Sequence, residues 1–194
     1  MKSAVLIGLG RIGVSFEEDP LRMKPASHLG ALLLTKDIRI EALIERGNPA
    51  NEKLARRLCR KAGVSPPIYE SVGLAREHCN PDLVVIATGW GTHYSLIRET
   101  LATWKPKVIF CEKPLGGSSK GADEINTICV NAGVSLAVNY TRRWDGGWRG
   151  IVTLIHHGAI GHLRMFNGLY TGDSLEVGSH MIDLKNWLRP DGYY

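Results

Sequence analysis

SAVLIGLGRIG, residues 3 to 13, is the stretch on which the fold turns. Ala4, Val5, Leu6 and Ile7 form an unbroken apolar run, the pattern of a strand buried on both faces. It empties into Gly8-Leu9-Gly10-Arg11-Ile12-Gly13, a G-x-G-x-x-G arrangement. Glycines so spaced permit a tight turn and let backbone N–H groups approach a pyrophosphate at a helix N-terminus. At the head of a βαβ unit the motif predicts dinucleotide binding by Gly8, Gly10, Arg11, Ile12 and Gly13. Taken alone, the same glycines can serve close helix–strand packing and nothing more.

The surrounding sequence supplies the βαβ context. IRIEALIE (38–45), PDLVVIAT (81–88), KPKVIFCEK (105–113) and VSLAVNY (134–140) read as further strands. NEKLARRLCRKAG (51–63) is an amphipathic helix closed by Gly63, and SSKGADEINTICVNAG (118–133) a helix with a serine start and a glycine stop. Near-continuous apolar strands separated by helices predict an α/β fold over residues 1–140: a doubly wound parallel sheet covered on both faces. After residue 140 the texture changes. TRRWDGGW is turn-rich, WRGIVTLIHHG reads as a helix ending at Gly158, and HLRMFNGLYTG (162–172) alternates like an exposed strand. Residues 141–194 are too few for an independent domain of that texture.

In a dinucleotide fold the acidic residue that holds the adenosine ribose follows the fingerprint by roughly 20 residues, at the end of the second strand. Here Glu45 stands 32 residues after Gly13. SFEEDPLRMKPASH (15–28) has the composition of a loop, so the delay predicts an insertion that splits the first helix. Glu45 would accept hydrogen bonds from the ribose hydroxyls and repel a 2′-phosphate, which favours NAD. Arg46 beside it could instead grip that phosphate, which keeps NADP as the alternative.

Bulk properties narrow the class. Of 194 residues, 44% are hydrophobic and 22% charged, the balance of an ordinary globular protein. No apolar run approaches the roughly 20 residues that span a bilayer. The opening MKSAVLIGLG has no separate charged, apolar and cleavage regions and so does not read as a signal peptide. Cys59, Cys79, Cys111 and Cys129 contain no C-x-x-C pair, a usage that fits a reducing cytoplasm and offers no zinc site or disulfide framework. The net charge of +5 favours anionic ligands such as nucleotides. The basic stretch LARRLCRKAG (54–63) has no interleaved aromatics and reads as a solvated helix face rather than a nucleic-acid surface. His156, His157 and His162 lack metal-ligand spacing, so no metal is expected.

Two further constellations carry chemistry. Glu112-Lys113-Pro114 follows the strand VIFC, at a carboxyl end where an open α/β sheet binds its ligands. In EVGSHMID, Glu176, His180 and Asp183 stand at i, i+4 and i+7, so a helix would put all three on one face. Such a stripe is costly to bury; it needs either solvent or a task.

Together with GLGRIG, the segment ATGWGTHY (87–94), EKPLG (112–116), NYTRRW (139–144) and the turn GAIG (158–161), the chain resembles the Gfo/Idh/MocA oxidoreductases, a family of sugar, inositol and related dehydrogenases. The resemblance runs from Met1 to about Trp187. It implies a Rossmann domain followed by the start of an α+β domain with an antiparallel sheet. It also implies an NAD(P)-dependent hydride transfer to or from a hydroxyl or keto carbon of a polyhydroxyl substrate. By motif, Lys113 would hydrogen-bond the reacting oxygen beside the nicotinamide, and His180 would take or return the hydroxyl proton. Asp183 would bind substrate hydroxyls, and Glu176 falls where the family usually has Asp. Thr88 and His93 would line the nicotinamide pocket, with Glu112 at the cofactor and the Lys113–Pro114 bond cis. Arg142 and Arg143 could reach an anionic substrate or cap the domain junction. Family members continue into a large sheet that floors the substrate site and makes the subunit contacts. The competing expectation is therefore a cofactor-binding but catalytically incompetent short form: a regulatory module, or a half-protein completed by a second copy or a complementing chain.

Overall fold

The computed structural model describes residues 1–172 and 177–189. Its elements are β1 (Lys2–Ile7), α1 (His28–Leu34), β2 (Ile38–Ile44), α2 (Pro49–Lys61), β3 (Ile68–Tyr69), α3 (Val72–Ala75), β4 (Leu83–Ile86), α4 (His93–Thr103), β5 (Val108–Cys111), α5 (Ser119–Asn131), β6 (Ser135–Val138), α6 (Gly146–His156) and α7 (Ser179–Leu188). The expected α/β reading is correct. Six strands form one sheet in the order β3-β2-β1-β4-β5-β6, with β1 parallel to both β2 and β4, and β4 parallel to β5. This is the order of a Rossmann sheet. β3, two residues long, is too short to leave a periodic signature in the sequence.

Local chemistry explains where the helices begin. Asn48 caps α2 by accepting from the Asn51 N–H, and Pro49 takes the first position, where its missing donor costs nothing. Ser118 caps α5 through the Gly121 N–H, and Gly133, at a φ of 69°, follows its end. Strand registry then aligns the functional edge. Ile7 pairs with Ile44 and with Ile86, and Ile86 pairs with Cys111. The residues that follow, Gly8, Glu45, Ala87 and Glu112, therefore leave the sheet in a row at its carboxyl edge.

The chain divides into two compact units, Met1–Ala137 and Val138–Tyr194. In the first, apolar side chains pack on both sheet faces. Val5, Ile86, Ile97 and Ile125 belong to one cluster, Leu6, Leu29, Leu43 and Ala55 to the other. In the second, Val152 of α6 meets Leu184 and Leu188 of α7, with Trp148, Leu163, Phe166 and Trp187 around them.

One expected element is absent. Residues 162–172 form no strand. Leu163 and Phe166 turn to the small cluster while Met165 and Leu169 are exposed, a spacing that departs from the period of two. A strand also needs a neighbour to receive its backbone groups, and none of the described residues pairs with this segment. It is held instead at Leu163, whose carbonyl accepts from the Arg189 guanidinium at 3.0 Å. Glu176 lies outside the described residues.

Candidate cofactor turn and chemical site

The glycine turn is built by steric demand. Gly8 adopts a φ of +92°, and a Cβ there would lie 2.7 Å from Thr88 Cγ2. A Cβ on Gly13 would overlap the carbonyl oxygen of Gly8. Nothing stands within 4 Å of the place a Gly10 Cβ would take, so the turn is open at its middle glycine. Two glycines thus close the turn and the third leaves an approach for a ligand's phosphates.

The first helix is split, as its spacing implies. A single helical turn starts with Val14 N–H on Gly10 O, and the chain then departs through a 3-10 turn at Ser15–Glu18. It returns at α1, where the His28 N–H donates to Ile12 O at 2.9 Å and the Leu29 N–H to Gly13 O at 3.0 Å. An α-helix would fill those acceptors from residues 16 and 17, so 12 residues are spliced out of the ladder. Subtracting 12 from the 32 residues between Gly13 and Glu45 leaves 20, the ordinary spacing of the fingerprint. The insertion is tied shut by Glu17, whose carboxylate accepts from the Ala26 and Ser27 N–H groups and from the Ser27 hydroxyl. Ser27 Oγ in turn accepts from the Gly30 N–H as the cap of α1.

Glu45 reaches back to the turn. Its Oε2 accepts from the Leu9 N–H at 2.7 Å, so the acidic residue braces the fingerprint while its other oxygen stays available to a ribose. Arg46 is exposed.

Three strands along, Glu112 is 7% exposed. Its Oε1 lies 2.7 Å from His28 Nε2 and its Oε2 accepts from the Lys113 N–H at 3.3 Å. The Lys113–Pro114 bond is cis. Glu112, expected at the cofactor, thus turns its two oxygens to protein groups. His93 requires a correction: it is 0% exposed, so no cofactor atom can touch it. Its Nδ1 faces Pro114 O at 3.0 Å and its Nε2 faces Thr88 O at 3.1 Å, which pins the exit of β4 to the turn after β5. The Thr88 hydroxyl is 2.7 Å from that of Thr92. Sequence reasoning missed His28 altogether. Its one signal was position, directly after the inserted loop.

The second unit carries the other candidates. His180 lies in the first turn of α7, half-buried, with the Tyr140 ring edge-on at 5.8 Å. Burial, with the Asp183 charge adding to it, pushes the Tyr140 phenol up, so it stays protonated as a potential donor. Asp183, expected to bind substrate hydroxyls, is paired with Arg143. Both its oxygens receive Arg143 Nε at 2.9 Å, and Nη2 reaches Oδ1 at 2.8 Å. A carboxylate so held joins α7 to the Thr141–Arg143 turn and keeps further lone pairs as acceptors. Arg143, further packed over Trp187 at 5.3 Å, is committed to the same contact. Among the described residues no group of three His, Cys, Asp or Glu side chains could hold a metal ion, and no helix is long and apolar enough to cross a membrane.

A pyrophosphate-ready turn on the central strand of a 3-2-1-4-5-6 sheet defines a dinucleotide-binding protein. Comparison with known proteins narrows this. Residues 2–140 match the Gfo/Idh/MocA profile, described as an oxidoreductase family with an NAD-binding Rossmann fold, and the chain belongs to that family. The inositol 2-dehydrogenase of Burkholderia cenocepacia is 28% identical over 205 aligned positions, covering 97% of this chain and 54% of that protein. That of Ralstonia nicotianae is 29% identical over 145, covering 68% and 42%. Among solved structures, the Lactobacillus casei scyllo-inositol dehydrogenase with bound NAD(H) and scyllo-inositol has a TM-score of 0.76 at 20% identity, covering 97% of this chain and 56% of that one. The myo-inositol 2-dehydrogenase of Lactobacillus plantarum has a TM-score of 0.73 at 20% identity, covering 96% and 56%. The chain spans about half the length of the relatives it matches.

Proposed function

We propose that this chain supplies the NAD site and the reacting side chains of a dehydrogenase acting on a ring hydroxyl of a polyol of the inositol type. The observation that carries the proposal is the row at the carboxyl edge. The glycine turn follows β1 and Lys113 follows β5, with β4 between them. Neighbouring strands lie about 4.8 Å apart, so the two features stand about 10 Å apart, a span a pyrophosphate and nicotinamide riboside can bridge.

NAD, when bound, accepts the hydride. The protein's share is then to hold the alcohol and take its proton. The Lys113 ammonium would donate a hydrogen bond to the reacting oxygen and stabilise charge developing there. His180 would accept the hydroxyl proton, and the shielding ring of Tyr140 limits the water around that imidazole. Glu176 belongs to the proposal through its place in the family pattern. Glu45 favours NAD by repelling a 2′-phosphate. Residues 141–194 would be the start of the substrate domain, and the four buried thiols suit a reducing, cytoplasmic setting.

Titration with NADH and NADPH by fluorescence, followed by a screen of inositols and sugars for NADH formation, tests the proposal. Tighter NADH binding with turnover of a polyol is the expected result, lost in Lys113→Ala. Absence of NADH binding overturns it. Binding without turnover on any polyol favours the second reading, a cofactor-binding module completed by another chain.

A further inference from the structure

His28 joins the two halves of the edge and lies outside the G-x-G-x-x-G motif. Its backbone N–H continues the helical ladder from Ile12, inside the fingerprint. Its side chain, 10% exposed, meets the Glu112 carboxylate, 9% exposed, at 2.7 Å across 84 residues of sequence. The ring packs edge-on to Phe110 of β5 at 5.7 Å. With Glu112 as the carboxylate, which only accepts, the proton between them rides on Nε2. A carboxylate this well buried is stable only with donors on it. His28 provides one on Oε1 and the Lys113 N–H one on Oε2.

We propose that His28 is a positioning residue for Lys113. It fixes the Glu112 carboxylate, which fixes the Lys113 backbone, and so ties the cofactor turn to the lysine at the reacting centre. The inserted loop of residues 16–27 serves this arrangement by returning the chain to the ladder at residue 28 with the imidazole turned toward β5. The role assigned to Lys113 rests on the proposed function; the mechanical link does not.

The two are separated by a test with independent readouts on the full chain. Hydrogen exchange at the Lys113 amide reads the link without cofactor or substrate. In His28→Ala this amide should exchange about tenfold faster, since losing its acceptor exposes it to local opening, while amides of Val5 and Val85 in the sheet stay unchanged. Gln places an amide N–H near the position of Nε2, so His28→Gln should restore slow exchange, and the shorter His28→Asn should not. The Gln–Asn pair decides the matter even where His28→Ala does not fold. Unchanged exchange at Lys113 in His28→Ala or His28→Asn, or no rescue by Gln, overturns the proposal. In the catalytic arm His28→Ala should lower kcat while the NADH dissociation constant moves little. If the wild type fails to bind NADH, the functional reading falls and the exchange result still judges the link.

Discussion

The two units hold their charged residues in opposite ways. In Met1–Ala137 the His28–Glu112 contact lies at the carboxyl edge of a sheet whose clusters contain 17 and 11 buried residues among those described. In Val138–Tyr194 the buried cluster has three, and the Arg143–Asp183 pair at its side is 38% and 12% exposed. The first unit can place a costly buried carboxylate because its packing is over-determined. The second relies on a partly solvated ion pair to hold a helix onto a turn.

Gly13→Ala breaks the comparison most severely, by striking the better-built unit where no side chain can move aside. The added methyl meets backbone, the Gly8 carbonyl, so the turn must open. NADH affinity should fall at least about a hundredfold, the cost of about 3 kcal/mol of misplaced contacts. Fluorescence titration measures this, and near-normal binding would remove the turn from the cofactor site.

Asp183→Ala should act on the other unit alone. It removes three charge-assisted contacts and leaves the Arg143 cation against Trp187, at a cost of about 1.5–3 kcal/mol. Exchange in α6 and α7 should quicken while the β1 and β4 amides keep their protection. Uniform acceleration through both units would show that they are not separately stabilised. Asp183→Asn, which keeps one acceptor, should lose about half as much.

Glu17→Ala sharpens the account of the insertion. One carboxylate gathers the Ala26 and Ser27 amides and the Ser27 hydroxyl, so its loss should cost about 1–2 kcal/mol and free those two amides to exchange. The Leu29 amide, bonded to Gly13, should stay protected; if it does not, the splice depends on the loop.

How much of this the sequence discloses depends on whether the signal is local. Strand runs, the glycine fingerprint and the caps at Ser118 and Gly133 are short-range patterns, and each marks a feature found in the fold. The spacing of Glu45 disclosed an insertion, because 32 residues stood where about 20 suffice. It could not disclose that the ladder resumes at residue 28, since hydrogen bonds from His28 to Ile12 carry no local signature. His28–Glu112 and Arg143–Asp183 join residues 84 and 40 apart, and composition does not pair them. Family pattern gave Asp183 to the substrate and was silent on the Arg143 cation that it also holds. Alternation at 162–172 read as a strand because periodicity records which side chains are apolar, not whether a neighbour exists to pair with.

The smallest effect belongs to the amino edge of the same sheet. Asp82 accepts from the Ser3 N–H at 3.0 Å and from Lys107 Nζ at 2.6 Å, joining the starts of β1, β4 and β5. The Lys107 hydrogen bond first, and the Ser3 N–H after it, hold the Asp82 carboxyl down to about 2 from 3.8. A pKa depressed in the folded state stabilises the protein above the unfolded value, and that contribution fades as pH falls from about 4 through about 2. The site is open to water and to salt, so the contribution is small. Asp82→Asn should therefore lower the melting midpoint slightly at pH 7, with the gap to wild type closing near pH 2 and narrowing in high salt. A carboxyl titration of Asp82 with its midpoint near 4 would sink this account. It would mean that Lys107 stays in solvent, and that the amino edge, unlike the carboxyl edge with His28 and Glu112, is held by its strands alone.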